Sequence, residues 1–129
     1  MSKPLILVTG AAGHVGELLT PLLRSSFTLR LCDLKPMPLA LPEEEAVEGD
    51  LADPGFADSV SAGVTGIVHL AGLVASRVSF EDTLNANYRA LLAVLEACRR
   101  QNIHRFVFAS SHHILGLHSS ERQIGRAHV

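Results

Sequence analysis

The sequence predicts an α/β fold, a doubly wound parallel sheet that stops after about the fifth strand, and three observations lead there. Short aliphatic runs alternate with longer segments of helical period along the whole chain. The first, fourth and fifth runs are nearly continuous in apolar residues, as strands covered on both faces must be. A glycine-rich turn joins the first run to the first helical segment. At 129 residues the chain suffices for one domain with its own core.

The expected strands are "LILVT" (5–9), "TLRLC" (28–32), "AVEG" (46–49), "GIVHL" (66–70) and "RFVFAS" (105–110). Between them, residues 14–24, 56–62 and 81–100 read as helices. In the last of these Leu84, Tyr88, Leu91, Leu92, Leu95 and Cys98 recur every three or four residues, which puts them on one face. Arg89, Glu96, Arg99 and Arg100 fall on the other side. "KPMPLALPEEE" (35–45) has too many prolines for helix or central strand and reads as a surface connection. Pro21, inside the first helix, removes a backbone donor and predicts a kink or an early end.

Eleven basic and 13 acidic side chains leave a formal charge of −2, so no general field attracts nucleic acid or anionic lipid. The apolar run near the N-terminus is too short to span a bilayer and leads into "TGAAG", not a cleavage site; a cytoplasmic protein with no membrane partner is expected. Cys32 and Cys98 stand far apart in apolar segments, without Cys-x-x-Cys spacing, and read as free buried thiols.

Binding chemistry begins at "TGAAGHVG", where Gly10, Gly13 and Gly16 follow a strand and open a helix. Glycines at this spacing turn the chain, admit a pyrophosphate to the backbone and let helix pack close on strand. Ala12, His14 and Val15 complete the cradle, and the helix N-terminus offers unpaired N–H groups to phosphate. Asp33 ends the second strand about 20 residues on, the offset at which a carboxylate accepts from the adenosine ribose hydroxyls. That favours NAD over NADP, since a carboxylate repels a 2′-phosphate; Lys35 softens the repulsion.

With these residues in place the chain resembles the extended short-chain dehydrogenase/reductase family of NAD-dependent epimerases, dehydratases and dehydrogenases, over residues 4 to about 117. The resemblance implies a Rossmann-like fold. It places Asp50 and Leu51 of "GDLAD" beside the adenine, and Leu70, Ala71 and Gly72 of "HLAG" under the nicotinamide-side ribose. Asn87 matches the helix asparagine that supports the active site. Each also fits a duller role: Asp50 a loop carboxylate, His69 a hydrogen-bonded core histidine, Asn87 a polar residue on a solvated face.

Within the family, "FASSHHILG" resembles the uronate dehydrogenases, which oxidise a free hexuronic acid to its lactone. By that match Ser111 is the catalytic serine, and His112 and His113 face the sugar. Asparagine is usual at the position of His112, and a nucleotide-sugar epimerase or dehydratase, or a non-catalytic dinucleotide sensor, stays open as an alternative. The resemblance further implies a small sugar substrate, either a uronic acid or a nucleotide sugar, and a homo-oligomeric parent enzyme.

The family's general base is the tyrosine of a Tyr-x-x-x-Lys pair, its pKa lowered by the lysine. Here the lysines are Lys3 and Lys35 and the one tyrosine, Tyr88, is followed four residues on by Leu92. Tyr88 therefore reads as a packing residue, and the chain by itself is expected to be inactive. Without the helix that pairs with it in the family, part of the Leu84 to Leu95 stripe is expected to be exposed. "IGRAHV" (124–129) is what one reading frame of a common sequencing adapter encodes. Residues 1–122 are thus expected to form an incomplete NAD(P)-binding domain and 123–129 a non-native tail. Adjacent His112 and His113 cannot both readily reach one ion, so with His118 they predict no metal site.

Overall fold

The computed structural model describes residues 2–73 and 78–110. Five strands, β1 (Leu5–Thr9), β2 (Thr28–Asp33), β3 (Glu45–Glu48), β4 (Gly66–His69) and β5 (Arg105–Phe108), form one sheet in the order β3-β2-β1-β4-β5. Every pairing is parallel, with Val8 opposite both Leu31 and Val68, and Val68 opposite Val107. Strand order reverses between β1 and β4. There the connections leave in opposite directions and open a crevice at the carboxyl ends of the strands.

The helices are α1 (His14–Leu23), α2 (Pro54–Ser61), a short α3 (Phe80–Thr83), a π-helical stretch Leu84–Arg89 and α4 (Ala90–Gln101). Side-chain alternation along β1 separates two cores. Ile6 and Val8 join Leu29, Leu31 and, from α1, Leu23 on one face. Leu7, on the other, joins Ile67, Ala57 and Val60 of α2 and Ala93 and Val94 of α4. No helix among the described residues is long and apolar enough to cross a membrane.

Differences from the sequence reading have local causes. The helix expected from Phe56 starts at Pro54, because Asp53 caps it by accepting from the Gly55 N–H at 3.0 Å and Pro54 has no N–H to satisfy. The first helix does not end at Pro21 but runs through it to Leu23, and the next residue, Arg24, closes it by donating its N–H to the Thr20 carbonyl at 3.2 Å. β4 and β5 end at His69 and Phe108, short of Leu70 and Ser110, as the backbone turns into the crevice.

The long helix corrects the sequence reading at Tyr88. Its buried residues are Ala90, Ala93, Val94, Ala97 and Cys98, whereas Tyr88, Leu92 and Leu95 are exposed. Small side chains let α4 lie close on α2, and this close contact outweighs the larger leucine stripe. Tyr88, expected to pack, stands 58% exposed. The 35–45 connection is pinned instead by a paired contact, Arg24 donating through Nε and Nη2 to both carboxylate oxygens of Glu44 at 2.9 Å. Cys32 and Cys98 are free and buried, as read.

Candidate functional site

At the carboxyl end of β1 the chain turns at Gly10, whose φ of +69° lies in the left-handed region. A Cβ there would stand 2.7 Å from the Ala71 nitrogen, and one on Gly16 2.6 Å from the Gly10 carbonyl oxygen. Both glycines are therefore needed for backbone to meet backbone, the first between the turn and the end of β4, the second between α1 and the turn. Gly13 precedes α1 as its cap without a side-chain acceptor, so the first-turn N–H groups point out with the positive end of the helix dipole.

Asp33 closes the second wall. Its Oδ2 accepts from the Ala12 N–H at 2.9 Å and its Oδ1 from the Lys35 N–H at 3.0 Å, so the carboxylate holds both the glycine turn and its own loop. Each oxygen keeps lone-pair capacity for a further donor. Asp50 folds its loop in the same manner, accepting from the Ala52 N–H at 2.9 Å, while Leu51 is buried beneath.

The β4 end is organised by two buried side chains. Thr9 Oγ1 accepts from the Leu70 and Ala71 N–H groups at 3.1 and 3.2 Å and lies 2.8 Å from His69 Nδ1. His69 is 1% exposed, and burial pushes its pKa down to about 4, so it is neutral. Its ring runs nearly parallel to those of Phe106 and Phe108, about 6 Å away. Farther along, Asn87 in the π-helical stretch grips the backbone of Leu73, accepting from its N–H at 2.7 Å and donating to its carbonyl at 3.3 Å.

Together these loops enclose a cleft of about 450 Å³. Of the residues singled out from sequence, Gly10, Gly13, His14, Val15, Gly16, Asp33, Asp50, Leu51, Leu70, Ala71 and Gly72 line it. Ala12 and Asn87 do not; they stand behind the lining and hold it. Leu34, Lys35, Gly49, Leu73, Ala86 and Ala90 line the cleft without having been singled out as lining. Leu34 and Gly49 adjoin motif residues and were within reach of the sequence, but Ala86 and Ala90 enter only because the long helix crosses the cleft. Ser111, His112 and His113 lie outside the described residues.

A model of the NAD dependent epimerase/dehydratase family matches residues 6–127. Uronate dehydrogenase of Pseudomonas putida is 38% identical over 121 residues, covering 92% of this chain and 45% of the relative. A crystal structure of uronate dehydrogenase from Agrobacterium tumefaciens superposes with a TM-score of 0.80 at 42% identity, covering 88% of this chain and 42% of that one. MoeE5 in complex with UDP-glucose and NAD gives a TM-score of 0.77 at 31% identity, covering 86% and 38%. The chain thus spans about 45% of the length of the curated relatives it matches.

Proposed function

Since this chain belongs to the NAD dependent epimerase/dehydratase family, we propose that its cleft holds NAD for an oxidoreductase that acts on a sugar, a free hexuronic acid oxidised to its lactone. The observation that carries the reading is the joint placement of an uncapped helix N-terminus and the Asp33 carboxylate on one cleft, at the point where strand order reverses. The residues fit the dinucleotide. The glycine turn would bring the pyrophosphate to the first-turn N–H groups of α1, which no side chain caps, Asp33 retains acceptor capacity for the adenosine ribose, and Asp50 and Leu51 would flank the adenine.

NAD, when bound, supplies the acceptor for the hydride that leaves the sugar carbon. The chain's own residues bind and orient. The α1 N-terminus offsets phosphate charge, Asp33 selects a free 2′-hydroxyl over a 2′-phosphate, and Asn87 fixes the Leu73 backbone beneath the nicotinamide end. By the resemblance described above, Ser111 orients the sugar hydroxyl while His112 and His113 face the sugar. Tyr88, Lys3 and Lys35 form no Tyr-x-x-x-Lys pair, so the role assigned to the cleft is cofactor binding.

Titration with NAD and NADP tests the reading. NAD binding that weakens at least tenfold in Asp33→Ala, with NADP the poorer ligand, is expected; failure of either dinucleotide to bind overturns it. In a protein of the relatives' full length, galacturonate or glucuronate should drive net formation of NADH. Turnover of UDP-glucose without net NADH would favour the epimerase reading, to which the likeness to MoeE5 lends support.

A further inference from the structure

We propose that Thr9 and His69 are a pair of positioning residues for the cleft: the Thr9 hydroxyl, aimed by the bare Nδ1 of His69, fixes the Leu70 and Ala71 backbone against Gly10. The inference rests on the reading of the cleft as an NAD site and assigns work to two buried side chains that line none of it.

The hydrogen count sets the arrangement. Thr9 Oγ1 receives N–H groups from Leu70 and Ala71, at 3.1 and 3.2 Å, which occupies both of its lone pairs. Its single hydrogen is then left for His69 Nδ1, 2.8 Å away, and that nitrogen must be the unprotonated one. The ring proton consequently sits on Nε2. That atom is buried and has no partner among the described residues. A buried N–H without a protein partner is unfavourable, a cost that a hydrocarbon ring in the same position would not carry.

A cost of that kind persists where the other nitrogen does something a hydrocarbon ring cannot. Here it orients a hydroxyl. The peptide so held is the one that approaches Gly10 most closely, since a Cβ on Gly10 would meet Leu70 carbon and Ala71 nitrogen at 2.7 Å. Were Nδ1 protonated, three donors would converge on Oγ1 and one amide would have to let go. Leu70 has a second bond, to the Thr9 carbonyl at 3.1 Å, whereas Ala71 is held through Oγ1, so the Ala71 amide is the one whose position depends on the Thr9 hydroxyl. Gly10, Leu70 and Ala71 all line the cleft, and a shift of this peptide changes its wall directly.

The test uses the 129-residue chain and three variants, Thr9→Val, Thr9→Ser and His69→Phe. Nitrogen-15 NMR of the imidazole should show a neutral ring protonated at Nε2, and the Ala71 amide should exchange slowly. Thr9→Val is expected to speed Ala71 exchange and weaken NAD about tenfold, Thr9→Ser to restore both, and His69→Phe to leave the melting temperature little changed, since it removes an unpaired N–H and the acceptor of the Thr9 hydroxyl together, while still weakening NAD. A core role alone would tie affinity to stability, and the phenylalanine variant separates them.

A ring protonated at Nδ1 overturns the proposal, as does NAD affinity unchanged in folded Thr9→Val or His69→Phe. Should Thr9→Val not fold, the phenylalanine and serine variants decide the matter. If the parent chain does not bind NAD, the reading of the cleft fails, and the tautomer and the Ala71 exchange rate still report separately on the pair.

Discussion

The carboxylate of Asp33 accepts a hydrogen bond from the backbone N–H of Ala12 at 2.9 Å, tying the end of β2 to the middle of the glycine turn. A residue read from the sequence as a ribose acceptor therefore also builds the cradle that receives the pyrophosphate. Substitution should separate the two duties. Asp33→Asn keeps a carbonyl oxygen for Ala12 and is expected to lose NAD affinity with little loss of stability. Asp33→Ala removes both and should also cost about 1–3 kcal/mol, read by urea unfolding. Equal stability in the two variants would show that the Ala12 bond contributes little.

Gly10→Ala should be the most damaging change in the turn. It places a Cβ at φ +69° and 2.7 Å from the Ala71 nitrogen, both backbone constraints with no flexible side chain to yield. The left-handed penalty alone is about 1–2 kcal/mol, and the overlap adds about as much again. Unfolding in urea should show a loss of at least about 2 kcal/mol, together with loss of NAD binding.

Acid should destabilise the fold through His69. The folded-state pKa of His69 is pushed down to about 4 by burial, against an unfolded value of 6.5. Below pH 6.5 the unfolded chain takes up a proton that the folded one refuses, so stability falls as pH drops from 6.5 to about 4 and this contribution levels off below. A difference of that size corresponds to about 3 kcal/mol. In His69→Phe the same pH series of urea melts should be flatter by about that amount.

Cys32 should be chemically silent in the native state. Burial first, and the neighbouring Asp33 charge second, push its thiol up to about 12, so almost no thiolate exists at neutral pH. Ellman's reagent is expected to react with Cys32 only as fast as the chain unfolds, and at once in concentrated urea. Rapid native-state labelling at Cys32 would mean that β2 opens locally.

The exposed stripe Tyr88, Leu92 and Leu95 should promote self-association. Leu92→Lys is expected to change stability by less than about 1 kcal/mol, because Leu92 is 46% exposed and a lysine stem can cover the same surface, and to lower the sedimentation coefficient if the stripe is a contact. An unchanged coefficient would assign the association, if any, to another face.

How much of this was legible in the sequence depended on the range of the forces involved. Composition and local pattern determined the five strands in their order, the parallel α/β class, the glycine turn and the acid at the end of β2. Each of these is written in residues close together along the chain, in period, in backbone freedom or in a fixed offset. The helical period put Leu92 and Leu95 on one face, and they are exposed, because periodicity reports which residues share a face and not which of two faces is covered.

Only the tertiary structure decided what the sequence left open at His69, Asn87 and the Ala-rich face of α4. His69 is a core histidine, and it is also one that sets the direction of the Thr9 hydroxyl from 60 positions away. Asn87 is half-buried and clasps the Leu73 backbone, 14 positions back. Such pairs form when strand register and helix docking carry distant segments within about 3 Å, and hydrogen bonds fail beyond a few tenths of an ångström from that distance. Side-chain identity determines what each residue can donate or accept, but only packing of α4 on the sheet and β4 beside β1 determines which partner it meets.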